Sequence, residues 1–411
     1  MTNQTTHFRN EIKLLLQAGL IIFTFTVGIG ILNGLDLVDF ERPRLMAHVH
    51  AGTLGWITLG FIAACLWIFS DGQPVTGWRA AAPRGLGIVG VLSIVFYTYA
   101  FYISNLDLRL AGGSLTLIAI AGFYVWLIAQ LRGAPLSTPR LGMFAAATTL
   151  TIGALLGVLL GIWFKGGLRS LPSGLFVTHP TTMVVGYLVL AGMALSEWRL
   201  APEAARQPAS KAGWAQVILP FLGGVIITFG ALANNSMLIG LYIPFQVIGI
   251  LIYLVRMGPK MLAVPWPAGG PARHYAVSAL FLVANVALIT YLIVNFITGA
   301  YGDPPNFGLI PSWMIFAMDH AMFIGVMTNG LFGLVNEVVA ERRSLWPWAD
   351  HALFWGMNLG LVGFVVGLMQ QSAPIKQVFA PIMGTSILLA IVVYTFRLQT
   401  APKGVVARAE A

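Results

Sequence analysis

The stretch MAHVHAGTLGW, residues 46–56, opens an apolar run that continues to Phe69 and sets two histidines, His48 and His50, at its start. Imidazole is costly in hydrocarbon, so a histidine inside a membrane span marks a functional site by default. The meaning of this run depends on two further readings: whether the chain is a membrane protein, and where its other histidines fall.

The chain has 411 residues, of which 58% are hydrophobic and 9% charged. Mean hydropathy is +0.83. A soluble domain carries about 25% charged residues, so this chain cannot cover a water-facing surface and reads as an integral membrane protein. Its single cysteine, Cys65, lies inside an apolar run. That excludes a disulfide framework, a thiolate zinc site and an iron–sulfur cluster, and leaves Cys65 as a small packing residue. The leader MTNQTTHFRNEIK carries Arg9 and Lys13 ahead of a run of some twenty apolar residues. With no small-residue cleavage site after it, it reads as an uncleaved first helix rather than a signal peptide.

A hydrocarbon core of about 30 Å takes roughly 20 apolar residues in a helix. Twelve such runs are present, at approximately 14–34, 46–69, 82–104, 111–131, 141–164, 175–196, 212–233, 236–257, 273–298, 312–336, 350–370 and 375–396. Lipid offers the backbone no partner, so each must be helical. The expected fold is all-α: a polytopic membrane protein of twelve transmembrane helices in three pseudo-repeated sets of four, near 14–131, 141–257 and 273–396. No connection is long enough for a separate soluble domain. Of the 23 Lys and Arg residues, only Arg42, Arg44, Arg109, Lys165, Arg169 and Lys376 fall on the side away from the N terminus. By the positive-inside rule both termini are cytoplasmic, with the chain expected in a bacterial inner membrane. The net charge of +9 expresses that bias and needs no nucleic-acid partner.

Of the seven histidines, His7, His274 and His351 fall in tails, loops or a helix mouth on the terminal side and read as solvated. The other four do not. His48 and His50 are on the second run, His179 on the sixth and His320 on the tenth, each in the half facing away from the termini. The intervals from His50 to His179 and from His179 to His320, 129 and 141 residues, match a four-helix repeat. Small residues follow each: Gly55 and Gly60, Gly186 and Gly192, Gly325 and Gly330. Small residues allow close helix packing or the approach of a flat macrocycle. A convergent imidazole set without thiolates suits haem iron or copper.

Three sets of four helices with histidines on the second, sixth and tenth resembles the haem–copper oxidase superfamily, which includes cytochrome oxidase catalytic subunits and the large subunit of nitric oxide reductases. The resemblance covers nearly the whole chain in topology and only part of the motif set. The stretch RPRLMAHVHAGTLGW keeps an Arg ahead of the helix 2 histidines. Residues two apart on a helix point about 200° apart, so one of His48 and His50 faces a given haem, and the expectation is His50. On helix 10 the family's His-x-His pair stands as Met318-Asp319-His320, and His320 matches the low-spin ligand. Helix 6 keeps His179-Pro180, with Met183 where one branch carries a Tyr, and Asn234-Asn235 is the nearest equivalent of the family's His-His pair. The resemblance thus implies a haem b between helices 2 and 10. It also implies a second site around His179, Met183, Met318 and the two asparagines that is degenerate, holds copper or a second haem, or takes a small gas. A looser likeness runs to NnrS-type haem and copper membrane proteins linked to nitric oxide stress.

Arg42 and Arg44, just outside helix 2, are candidates to pair with haem propionates. Asp319 reads as a partner that orients an imidazole, a proton carrier, or a residue at a wet helix mouth. Trp56, Trp67, Trp163, Trp198, Trp313 and Trp346 read as aromatic belt, and Glu337 as solvated. The leading functional expectation is a redox protein of the oxidase or nitric oxide reductase type. It would take electrons from a quinol or cytochrome c and handle NO or O₂ near the outer face. A non-catalytic haem or copper sensor or assembly factor of the nitric oxide response is one alternative, and a twelve-helix copper transporter another. Transporters of that size are usually built as two halves, whereas the histidines here repeat in thirds.

Overall fold

The computed structural model describes residues 7–400 apart from 71–74, 134, 169, 173, 304, 305, 341, 343 and 345. Arg169, Arg343, Lys403 and Arg408, counted above in the charge asymmetry, lie outside the described residues. The described chain is 84% helical without strands. Twelve helices are long and apolar enough to cross a membrane: α1 (Arg9–Gly34), α2 (Arg42–Ser70), α3 (Trp78–Tyr102), α4 (Leu106–Gln130), α5 (Thr138–Phe164), α6 (Leu175–Leu200), α7 (Lys211–Leu232), α8 (Ser236–Leu262), α9 (Pro271–Ile297), α10 (Ser312–Val338), α11 (Ala349–Met369) and α12 (Ala373–Gln399). These match the twelve hydropathy runs one for one.

The histidine-bearing helices are the innermost. In their most apolar windows 83% (α2), 61% (α6) and 83% (α10) of residues are buried, against 28–50% in the other nine. They touch one another pairwise. Trp56 of α2 donates to Thr328 of α10 at 3.1 Å. Phe61 of α2 meets Tyr187 of α6 edge-on at 5.1 Å, and Gly192 of α6 lies against Val326 of α10. The ring is closed outside them by α1 against α12, where a Cβ on Gly34 would come 2.5 Å from that of Ala380. Along α11, Gly356, Gly360, Gly363 and Gly367 form a flat strip against α12, whose backbone at Met383 lies 2.5 Å from where a Gly360 Cβ would stand. Small residues that let backbones approach are a usual means of helix association in lipid.

The turns repeat with the sets. At the end of the bundle away from the N terminus, α1, α5 and α9 are followed by a residue at positive φ (Asp36, Gly166 and Gly299), and so are α3, α7 and α11 (Ser104, Asn234 and Gln371). In each case the next N–H reaches back to a carbonyl five residues earlier, as in Asn105 to Ala100 and Asn235 to Gly230, which satisfies an orphan helix carbonyl. Asn105 and Asn235 then cap α4 and α8 through their side-chain oxygens. Asn234-Asn235, expected near a second metal, is thus an exposed turn and helix cap.

The two ends differ in chemistry. At the end bearing the N terminus, fully buried Glu197 takes Nη1 and Nη2 of Arg256 at 3.0 and 2.6 Å and Nε2 of Gln216 at 2.7 Å. Nearby, Arg199 pairs with Glu337 at 2.9 Å and Arg397 with Asp350 at 3.2 Å. Glu337 is therefore mostly enclosed in an ion pair, with 15% of its side chain exposed, and is not the solvated residue expected at a helix terminus. His274 departs from expectation in the same direction. It lies two residues inside the first turn of α9, fully buried, 3.3 Å from Asn329 and edge-on to Phe354 at 4.9 Å. His351 is exposed and accepts from Arg273 at 3.1 Å. At the opposite end the ion pairs are exposed, Lys165 with Asp107 and Lys376 with Asp36.

Candidate imidazole sites between the inner helices

Each inner helix changes winding directly beneath its histidines. Residues Ala51–Thr58, Thr182–Leu188 and Ala321–Thr328 are π-helical, between α-helical stretches above and below. Such segments are rare and occur often at functional sites. The fifth residue of each is a glycine: Gly55, Gly186 and Gly325. Taking these glycines as a common origin puts the three helices in register. Seven residues earlier stand His48, His179 and Met318, and five residues earlier His50, Thr181 and His320.

The hydrogen bonds follow this register. At the first position, the side chain is held by the preceding helix. His48 Nδ1 lies 2.8 Å from the Thr26 carbonyl of α1, and His179 Nδ1 lies 2.8 Å from the Gly153 carbonyl of α5. Thr26 Oγ1 also donates to the His48 carbonyl at 3.3 Å, while in the third set Asn285 of α9 donates to the Met318 carbonyl at 2.7 Å. At the second position, each side chain bonds one turn back on its own helix: His50 Nδ1 to Met46 O at 2.8 Å, His320 Nδ1 to Phe316 O at 2.8 Å, and Thr181 Oγ1 to Val177 O at 2.7 Å. A carbonyl only accepts, so Nδ1 of all four histidines carries a proton. The neutral ring then keeps its lone pair on Nε2, the tautomer required of an axial ligand, with its other nitrogen fixed by a carbonyl.

His48 and His320 lie within electrostatic reach of each other, and so do His50 and His179. All four are half-buried. The 200° between residues two apart turns His48 and His50 in different directions. His50 stacks on Phe101 of α3 at 4.1 Å, and the Arg109 guanidinium lies 4.7 Å from the centre of that same Phe101 ring. His320 rests on Phe364 of α11 at 4.8 Å. Glycines border the rings: a Cβ on Gly30 would sit 3.3 Å from His48 Cε1, and one on Gly157 would sit 3.0 Å from His179 Cε1. Below the rings the interfaces close. Trp56 is fully buried between Phe23 (5.4 Å, stacked) and Phe332 (5.5 Å), so it belongs to the core and not to an aromatic belt. Arg42 and Arg44 flank the mouth of α2, over Phe176 at 5.9 Å and Tyr102 at 5.6 Å.

The other sequence candidates separate. Met183 packs its sulfur on Gly153 of α5. Met318 packs in an apolar cluster with Val185, Tyr242, Ile289 and Ile293. Asp319 meets no hydrogen-bond or ion-pair partner among the described residues. It therefore orients neither imidazole, a task done by backbone carbonyls. Cys65 is buried packing. Among the described residues no three or more His, Cys, Asp or Glu converge, so a copper centre with three such ligands has no donor set. Imidazoles on α2 and α10 held through Nδ1 by carbonyls, bordering glycines, and arginines at the mouth are of a kind with the axial ligands and propionate partners of haem. Sequence reasoning missed Thr181, Phe101 and Arg109 as members of this region; aligning the three helices on Gly55, Gly186 and Gly325 would have found the first. No family model matches the chain, and no curated protein matches it.

Proposed function

We propose that the chain is a haem-binding integral membrane redox protein, with a haem b held between α2 and α10 by His48 and His320. The observation that carries this reading is that imidazoles on two inner helices, within electrostatic reach of each other, each have Nδ1 bound to a carbonyl. One-electron exchange between ferric and ferrous iron is the chemistry haem supplies when bound there. The protein's part is to hold the two rings. Thr26 O and Phe316 O fix the tautomers and ring planes and make each Nε2 a better donor. Trp56, Phe332 and Thr328 close the interface beneath them and exclude water from the low-dielectric side. Arg44 stands at the rim, where a propionate would need a cation. The site lies toward the face opposite the termini, which the basic-residue bias makes the outer face of a bacterial inner membrane. An outer quinol or cytochrome c would be the electron donor, with NO or O₂ as the small-gas substrate.

The test is a reduced-minus-oxidised spectrum of protein purified from haem-replete cells. Sharp haem b bands are expected, and they should be lost in His320→Ala and in His48→Ala. Colourless wild-type protein would overturn the proposal.

A further inference from the structure

We propose that the first turns of α9 and α11, at the end of the bundle bearing the N terminus, bind the phosphodiester of an anionic phospholipid. The inference does not depend on the haem reading. It starts from a charge that lacks a match. Elsewhere at this end guanidiniums and carboxylates pair, Arg256 with Glu197 and Arg199 with Glu337. Where α9, α11 and α12 meet, two buried guanidiniums, Arg273 and Arg397, stand beside the carboxylate of Asp350. Arg397 takes that carboxylate, with Nη1 at 3.2 and 3.4 Å from its two oxygens. Arg273, only 1% exposed, gives its Nη groups to the Asp350 carbonyl and to the His351 ring, the latter at 3.1 Å, and lies over the face of Phe354 at 4.2 Å. Its Nε meets no acceptor among the described residues. A guanidinium keeps its charge wherever it lies, and a buried charge with only neutral hydrogen-bond partners is costly.

The position of Arg273 sharpens the mismatch. It lies in the first turn of α9, at the positive end of the helix dipole, where a cation is disfavoured. That turn has no acidic residue, and Gly270 gives it no side-chain cap. An anion would answer both the guanidinium and the first-turn N–H groups. There is room beside them. Gly269 and Gly270, both at positive φ, carry the chain past the turn. A Cβ on Gly269 would stand 3.7 Å from His351 Nε2 and 3.8 Å from the guanidinium carbon of Arg273, which bounds a niche between imidazole and guanidinium. Because Nδ1 of His351 accepts from Arg273, the ring carries its proton on Nε2, and this exposed residue offers a donor there.

The surroundings choose a lipid over a soluble anion. His351 heads the outer stripe of α11, which continues at helical spacing through Trp355, Leu359 and Val362, all exposed on the outside of the bundle. A headgroup at His351 would lay its acyl chains along that stripe, with Trp348 exposed at the rim. Basic pockets between helices at this membrane face suit anionic lipids. A zwitterionic headgroup would bring its own cation up to Arg273 and gain less.

The experiment takes the full-length protein in a neutral detergent and follows its melting temperature and native mass spectrum with added phosphatidylglycerol, phosphatidylcholine or inorganic phosphate. Phosphatidylglycerol is expected to raise the melting temperature by several degrees and to stay bound in the mass spectrum. The other two should do neither. His351→Asp sets a carboxylate within reach of Arg273, so it should raise the melting temperature before any lipid is added and abolish the response to phosphatidylglycerol. Arg273→Gln should abolish that response as well; where this buried variant does not fold, the exposed His351→Asp decides alone. An equal rise with phosphatidylcholine means a general lipid effect, and an equal rise with inorganic phosphate means a soluble anion. Either overturns the proposal, and so does a phosphatidylglycerol response that His351→Asp retains.

Discussion

At the end of the bundle bearing the N terminus, Glu197 is fully buried and takes three hydrogen bonds from Arg256 and Gln216. At the opposite end, His48 and His179 are half-buried and each gives one hydrogen bond to a carbonyl, leaving Nε2 unspent. Both ends place polar groups where lipid would penalise them. The first joins its carboxylates, Glu197, Glu337 and Asp350, to guanidiniums of other helices, so these groups hold helices together. The second fixes each ring through Nδ1 to a carbonyl, the arrangement on which the haem proposal rests. Ion-paired carboxylates mark one end of the bundle and carbonyl-held imidazoles the other.

The comparison can be broken most severely at Glu197. Glu197→Ala or Arg256→Ala leaves a buried charge unpaired and should cost about 3–5 kcal/mol, read as a large fall in the melting temperature of the detergent-solubilised protein, whereas Glu197→Met with Arg256→Met should recover most of it. A small effect of the single variants would remove the contrast between the ends. The glycine strip of α11 comes next. Gly360→Leu forces a side chain onto the Met383 backbone, and overpacking of this kind costs about 1–3 kcal/mol, with haem content expected to follow only through lost folded protein. Trp56→Phe deletes the donor to Thr328 and should cost about 1 kcal/mol, with any haem content of the wild type unchanged, since Trp56 closes the interface below the histidines. The smallest effect belongs to Asp36. Lys376 at 2.5 Å, with Gln377 at 3.0 Å, holds its carboxyl below the ordinary carboxylate range. A lowered folded value means the stabilisation is present above the unfolded value and is lost as pH falls through the folded one. Asp36→Asn should therefore cost a few tenths of a kcal/mol at neutral pH, as for exposed pairs, and nothing in strong acid, checked by melting curves of both proteins across that range.

Much of this was legible in the sequence. Twenty apolar residues in a row leave one conformation in lipid, so the twelve helices follow from hydropathy, while their polar first or last turns, as in Arg9–Gly34 against a run from 14, extend beyond it. The histidine intervals likewise exposed the inner helices, because only a buried, repeated position tolerates imidazole three times. What hydropathy cannot carry is angle. Glu337 and His274 were misread because each sits near an end of its helix, where depth alone suggests an interface, while the side chain in fact turns inward to Arg199 and Asn329. Trp56, at the middle of α2, was misread as belt although its indole turns inward to Thr328. The choice between His48 and His50 turns on angle as well. Position along the helix was clear, but the facing helix depended on winding, and a π segment leaves no periodic trace in an all-apolar stretch.

That winding has a consequence for how the protein can fail. A π stretch carries surplus residues relative to an α-helix of equal rise, so it sets the rotational phase between the imidazoles above and the tightly fitted half below. Deleting one residue from 51–58, for example Thr53, would remove that surplus and let the stretch rewind as α-helix over much the same rise, which alters the rotational phase between the His48–His50 end and the fitted half below. Every imidazole would still be encoded, and its direction would change.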